Sequence, residues 1–113
     1  MLKIKFAAIA AVLSLTGTAV YADGSAANGA QKIKTFGCIT CHGRDGVSKL
    51  AEAPNLAGQV QIYLTSALQA YRTGGRKNEM MNTVAEKLTD SDIADLATYY
   101  SSIAVSVAPP PRP

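Results

Sequence analysis

Apolar side chains recur at helical spacing in three separate stretches of this chain, and each stretch carries its own start and stop signals. The first runs from Ser25, a good N-cap, to about Gly37; Ile33 and Phe36 share one face, while Lys32 and Lys34 point to water. In the second, Val60, Tyr63, Leu64, Ala67, Leu68 and Tyr71 follow one another at intervals of three and four, and Tyr63 and Tyr71 read as core. Gly58-Gln59 leads into it and Thr73-Gly74-Gly75 ends it, with Arg72 near the negative end of the helix dipole. The third starts at Thr89, where Asp92 completes a T-x-x-D capping box, and its buried stripe is Ile93, Leu96, Ala97, Tyr100 and Ile103. Asp90, Asp92 and Asp95 read as the solvated, charged face and cap of that helix. A short helical run is expected over Thr83–Lys87, after a polar stretch from Arg76 to Asn82 that is broken only by Met80 and Met81. Nothing alternates with period two, so the pattern predicts an all-α fold of three to five helices.

The flanks read differently. Lys3 and Lys5 precede an apolar run from Phe6 to Leu15, and small residues follow at Val20 and Ala22, which is the order of a secretory signal peptide. The run is too short to span a bilayer, which takes about 20 residues. Cleavage is expected after about Ala22, giving a leader over residues 1–22, a domain over 23–104 and a Pro-rich flexible tail over 105–113. The expected address is the periplasm. Without the leader, nine basic residues face eight acidic ones, so the formal charge of +3 falls to +1. That balance argues against a nucleic-acid stripe and against a polybasic membrane patch. A domain of this size buries only about 60–65% of its unfolded surface. With no Trp and, past the leader, a single Phe at position 36, its aliphatic and Tyr side chains make a thin core. A buried cofactor would supply the missing apolar mass and stabilise the native state by binding it selectively.

One segment specifies a chemistry. Cys38-Ile39-Thr40-Cys41-His42 is the attachment motif of a c-type haem: one helical turn brings two thiols to adjacent vinyl groups of one porphyrin, and the next residue stands under the iron. His42 is then the proximal ligand. A thioredoxin-like pair or a disulfide does not require the histidine and would be expected within a strand–helix–strand pattern, which the segment lacks. A structural zinc site needs four Cys or His ligands, and the chain holds two Cys and one His.

Taken with the segments around it, the motif resembles those of the class I bacterial cytochromes c, in particular single domains of the tandem dihaem members. The resemblance covers about Ala26 to Ser102 and rests on Cys38 to Gly43, Ala53-Pro54-Asn55-Leu56-Ala57-Gly58-Gln59, Tyr63-Leu64 with Leu68, Arg76-Lys77-Asn78, and Leu88 to Tyr100. It implies a compact cytochrome c fold wrapped around one haem c, attached through Cys38 and Cys41. The resemblance also implies a methionine as second axial ligand, and the spacing usual in the family to the residue at Leu88 favours Met81, leaving Met80 to pack at the haem edge. It further implies that the Pro54 carbonyl accepts the Nδ1 hydrogen of His42, and that Asn55, Tyr63 and Arg76 reach the propionates or the haem edge. The expected cleft lies between His42 and Met81 and is lined by Phe36, Leu56, Leu64 and Leu68.

With both axial positions filled, the expected function is one-electron transfer by a periplasmic, monomeric shuttle, not an enzyme. It would dock transiently on redox protein partners and meet the membrane only through their complexes. The expected docking ring is Ile39, Thr40, Gly43 and Val47 to Lys49. The competing expectation is a haem subunit of a periplasmic oxidoreductase complex, or a small haem peroxidase if Met81 is labile.

Overall fold

The computed structural model describes residues 23–113; the expected signal peptide lies outside the described residues. Five helices follow one another: α1 (Ala26–Thr35), α2 (Cys38–His42), α3 (Gln61–Thr73), α4 (Glu79–Ala85) and α5 (Asp90–Ser101). The described residues contain no strand, so the all-α expectation holds. None of their helices is long and apolar enough to cross a membrane.

The frame is the crossing of α1 over α5. Ser25 starts α1 by accepting the Asn28 N–H at 3.2 Å, and Ile33 reaches full burial against Ile93, Leu96, Ala97 and Tyr100 of α5. The helices approach closely because Gly29 faces α5 with no side chain: a Cβ there would lie 2.3 Å from the Asp95 carbonyl oxygen and 2.6 Å from Tyr99 Cβ. The crossing is also ionic, which corrects two expectations. Asp95, expected on a solvated face, is only 5% exposed, and Lys32, expected in water, turns inward to meet it at 2.6 Å and Asp92 at 2.8 Å. The Ser25 N–H donates to the other Asp95 oxygen at 2.7 Å. A carboxylate at this depth needs such donors to replace its lost hydration. The capping box of α5 forms as expected, with the Thr89 hydroxyl accepting Asp92 N–H at 3.1 Å and Asp92 accepting Thr89 N–H at 2.9 Å.

The other two helices depart from expectation. Of the apolar stripe of α3 only Leu64 is buried, while Tyr63 and Val60 are 50% and 60% exposed. Past Val60 the stripe lines a cavity while also packing on α4 and α5. The short helix expected at Thr83–Lys87 starts four residues earlier, because Asn78 caps it: its side-chain oxygen accepts Met81 N–H at 2.9 Å, and its own N–H donates to Asn82 Oδ1 at 2.9 Å. Met80 and Met81 therefore sit in the first turn of α4, not on an irregular loop. Beyond Ile103 the chain is non-helical and exposed.

Candidate cofactor site

The CxxCH segment is a single helical turn held between two glycines. Gly37 precedes it and Gly43 follows it, both with positive φ, 76° and 75°, which side-chain-bearing residues rarely adopt. At Gly43 space is short as well, since a Cβ would fall 2.3 Å from the Val47 carbonyl oxygen. Cys38 and Cys41 are free thiols, both half-buried. Burial pushes the Cys38 thiol up to about 11, so it stays uncharged in its apolar setting.

His42 is 8% exposed, and its Nδ1 lies 2.8 Å from the Pro54 carbonyl oxygen. A carbonyl can only accept, so Nδ1 carries the hydrogen, and the neutral ring keeps its Nε2 lone pair for a metal. The loop that brings Pro54 back is stitched to the motif. Lys49 N–H donates to the Cys41 carbonyl at 2.8 Å, and Leu56 and Ala57 N–H groups share the Gly46 carbonyl at 2.8 and 3.0 Å. Asn55 accepts Ser48 N–H at 2.7 Å.

These residues open onto a cavity of about 460 Å³, within the range typical of small-molecule and cofactor sites. Its walls are mainly apolar: Phe36, Leu56, Leu64, Ala67 and Leu68 line it, and both cysteines, His42, Met80 and Met81 reach it. The four residues expected to line a cleft do so. Met80 is 64% exposed and Met81 half-buried, so of the two adjacent thioethers Met81 is the more enclosed. Asn82 fixes the approach of α4 by donating to the carbonyls of Tyr71 at 2.7 Å and Arg76 at 2.8 Å.

At the polar part of the wall, the Arg76 guanidinium lies 4.8 Å from the centre of the Tyr71 ring and donates to the Tyr63 hydroxyl at 3.4 Å. Arg72, by contrast, is neutralised by Asp90 at 2.6 Å. Of the expected docking ring, Ile39, Thr40, Val47 and Lys49 are exposed, but Gly43 is buried beneath Val47 and Tyr100 and drops out. Asp45 pairs with Lys49 at 3.7 Å, leaving this rim nearly neutral.

Sequence reasoning missed the tyrosine hydroxyls of α5. Tyr100 donates to the Gly43 carbonyl at 3.1 Å and Tyr99 to that of Arg44 at 2.6 Å. It also missed Asn78 and Asn82, whose side chains place the methionine turn; an Asn ahead of an apolar pair was the available signal for Asn78.

The donor set suits haem. Two unpaired thiols, an imidazole with one nitrogen committed to a carbonyl, and thioethers on the same apolar cavity are the groups a covalently held porphyrin and its iron require. Among the described residues no group of three or more His, Cys, Asp or Glu side chains is placed to hold a metal ion. The family model described as "Cytochrome c" matches residues 26–104. The chain is 49% identical over 82 residues to cytochrome c-554(548) of Halomonas halodenitrificans, covering 70% of this chain and 96% of that one. It is 40% identical over 95 residues to cytochrome c4 of Pseudomonas aeruginosa, covering 84% of this chain and 46% of the relative. A solved cytochrome c4 of Acidithiobacillus ferrooxidans superposes with a TM-score of 0.64 at 32% identity, over 69% of this chain and 49% of that chain. The chain thus spans about half the length of its cytochrome c4 relatives.

Proposed function

Because the chain belongs to the cytochrome c family, whose cofactor is a covalently bound haem c, we propose that it is an exported one-electron carrier with iron held between His42 and Met81. Haem, when bound, supplies a one-electron iron couple. The protein's part is to fix the ligands and limit access. Cys38 and Cys41 provide the thioether links, and the Pro54 carbonyl holds His42 in one tautomer and orientation. Met81, placed by the Asn78 cap, would supply the second protein ligand, while Met80 would pack at the rim. Arg76, with Tyr63, carries positive charge to the polar wall, where a propionate would lie, and the Asn55 amide also lines the cavity. With both His42 and Met81 as ligands, the group would keep the same protein ligands in both oxidation states, which suits electron transfer.

The observation that carries this reading is that one cavity joins CxxCH to the methionine turn, with His Nδ1 already engaged. Redox partners would dock at the exposed, nearly neutral rim formed by Ile39, Thr40 and Val47 to Lys49. Visible spectroscopy of the haem-loaded protein tests the ligation. The ferric form should show a weak thioether-to-iron charge-transfer band and refuse carbon monoxide when reduced at neutral pH. Met81→Ala should abolish the band and Met80→Ala should keep it; the reverse pattern reassigns the ligand. A high-spin wild-type iron that takes carbon monoxide readily would instead support the peroxidase reading.

A further inference from the structure

Residues 43 to 58 form a loop whose two ends are fastened to the same side chain and backbone of α5. At its start, the Tyr100 hydroxyl donates to the Gly43 carbonyl at 3.1 Å; at its end, Gly58 N–H donates to the Tyr100 carbonyl at 3.0 Å. This loop supplies the acceptor of the ligand's hydrogen bond, Pro54, and begins at the residue that follows the ligand itself. Of the two partners of the 2.8 Å His42–Pro54 bond, Pro54 therefore sits on the segment spanned by one tyrosine and His42 immediately precedes it. Tyr100 is 3% exposed, packs in the core and reaches the cavity wall, so its ring cannot swing away to release the loop. Burial also holds its hydroxyl protonated well above the ordinary tyrosine range, so it remains a donor at every physiological pH.

We infer that Tyr100 is a positioning residue for the proximal ligand: by closing the loop it sets the His42–Pro54 hydrogen bond and through it the reduction potential. A hydrogen bond from Nδ1 raises the basicity of the imidazole, and a more basic ligand favours ferric iron. Loosening the loop weakens that bond and shifts the potential upward. The inference rests on His42 being an iron ligand, as proposed above.

The test compares haem-loaded wild type with Tyr100→Phe, which keeps the ring and deletes the donor, and with Thr89→Ala, which removes a helix cap remote from the loop. Each deletion removes one hydrogen bond worth about 1 kcal/mol, so the two variants should lose similar thermal stability. Only Tyr100→Phe should raise the midpoint potential and speed solvent exchange of the His42 Nδ1 hydrogen, by about fivefold if the opening free energy falls by that amount. Wild-type potential and exchange in Tyr100→Phe, or equal shifts in Thr89→Ala, would overturn the inference while leaving the ligation intact. Loss of the low-spin spectrum already in the wild type would instead remove the ligation on which it stands.

Discussion

A single buried carboxylate shows what one residue contributes here and why its role was hidden. Asp95 sits among aspartates that belong to a helix cap, and its partner Lys32 lies 63 residues away, so no local pattern distinguishes it from a solvated charge. The Lys32 ammonium and the Ser25 N–H hold its carboxyl below the usual carboxylate value of about 3.9. A depressed carboxyl pKa stabilises the fold fully above that value, and the contribution is lost as pH falls through the lower folded-state pKa. Asp95→Asn should therefore cost about 2 kcal/mol at neutral pH, the worth of a hydrogen bond to a charged group. In urea titrations the gap to wild type should close below about pH 4; a gap constant with pH would mean that shape, not charge, is what Asp95 supplies. The proposed ligand residues behave differently. Cys38, Cys41 and His42 are adjacent in sequence, and their chemistry is legible there, whereas choosing between Met80 and Met81 depends on how the Asn78 cap enters α4.

Among the elements, α1 and α5 were readable as helices because each has a cap, a period and a buried stripe that agree, while the inward turn of Lys32 and Asp95 was not. What could not be read is how close they come. Gly29→Ala sets two effects against each other: alanine improves the intrinsic helix propensity of α1 by about 1 kcal/mol, while its Cβ would press 2.3 Å from the Asp95 carbonyl. Backbone cannot yield as a side-chain tip would, so overpacking of about 1–3 kcal/mol should win, leaving a net loss. Chemical denaturation of the holoprotein decides the sign, and a stabilised variant would show that the crossing is looser than drawn. For α3 the periodicity was correct, and the resemblance had already put Leu64 and Leu68 at the cleft. Tyr63, Leu64, Ala67, Leu68 and Tyr71 share a face, but that face is turned to the cavity, and periodicity alone cannot tell a helix that packs on protein from one that packs on a cofactor.

For the molecule as a whole, the protein core among the described residues is small: the largest fully buried side chains are Ile33 and Ile93. Phe36, Leu56 and Leu68 line the cavity only half-buried, and completing their cover contributes part of the about 1.5–3 kcal/mol that full burial of each such side chain is worth. Even a part of that sum is a sizeable share of the stability of a small domain, about 5–15 kcal/mol. Apoprotein made without haem attachment should accordingly keep helical circular dichroism but lose cooperative unfolding and dispersed side-chain resonances; a sharp thermal transition near that of the holoprotein would refute this. At the surface, the weak charge balance and the Asp45–Lys49 pair predict that electron transfer to a partner varies little with ionic strength. A steep salt dependence would place docking elsewhere. The α1–α5 crossing carries a last consequence, one of timing. A chain made from its N-terminus releases α1 and the Cys38–His42 turn well before α5, so the crossing cannot close until α5 has followed. That order predicts an interval in which Cys38 and Cys41 are open to the attachment reaction before α5 closes its side of the cavity.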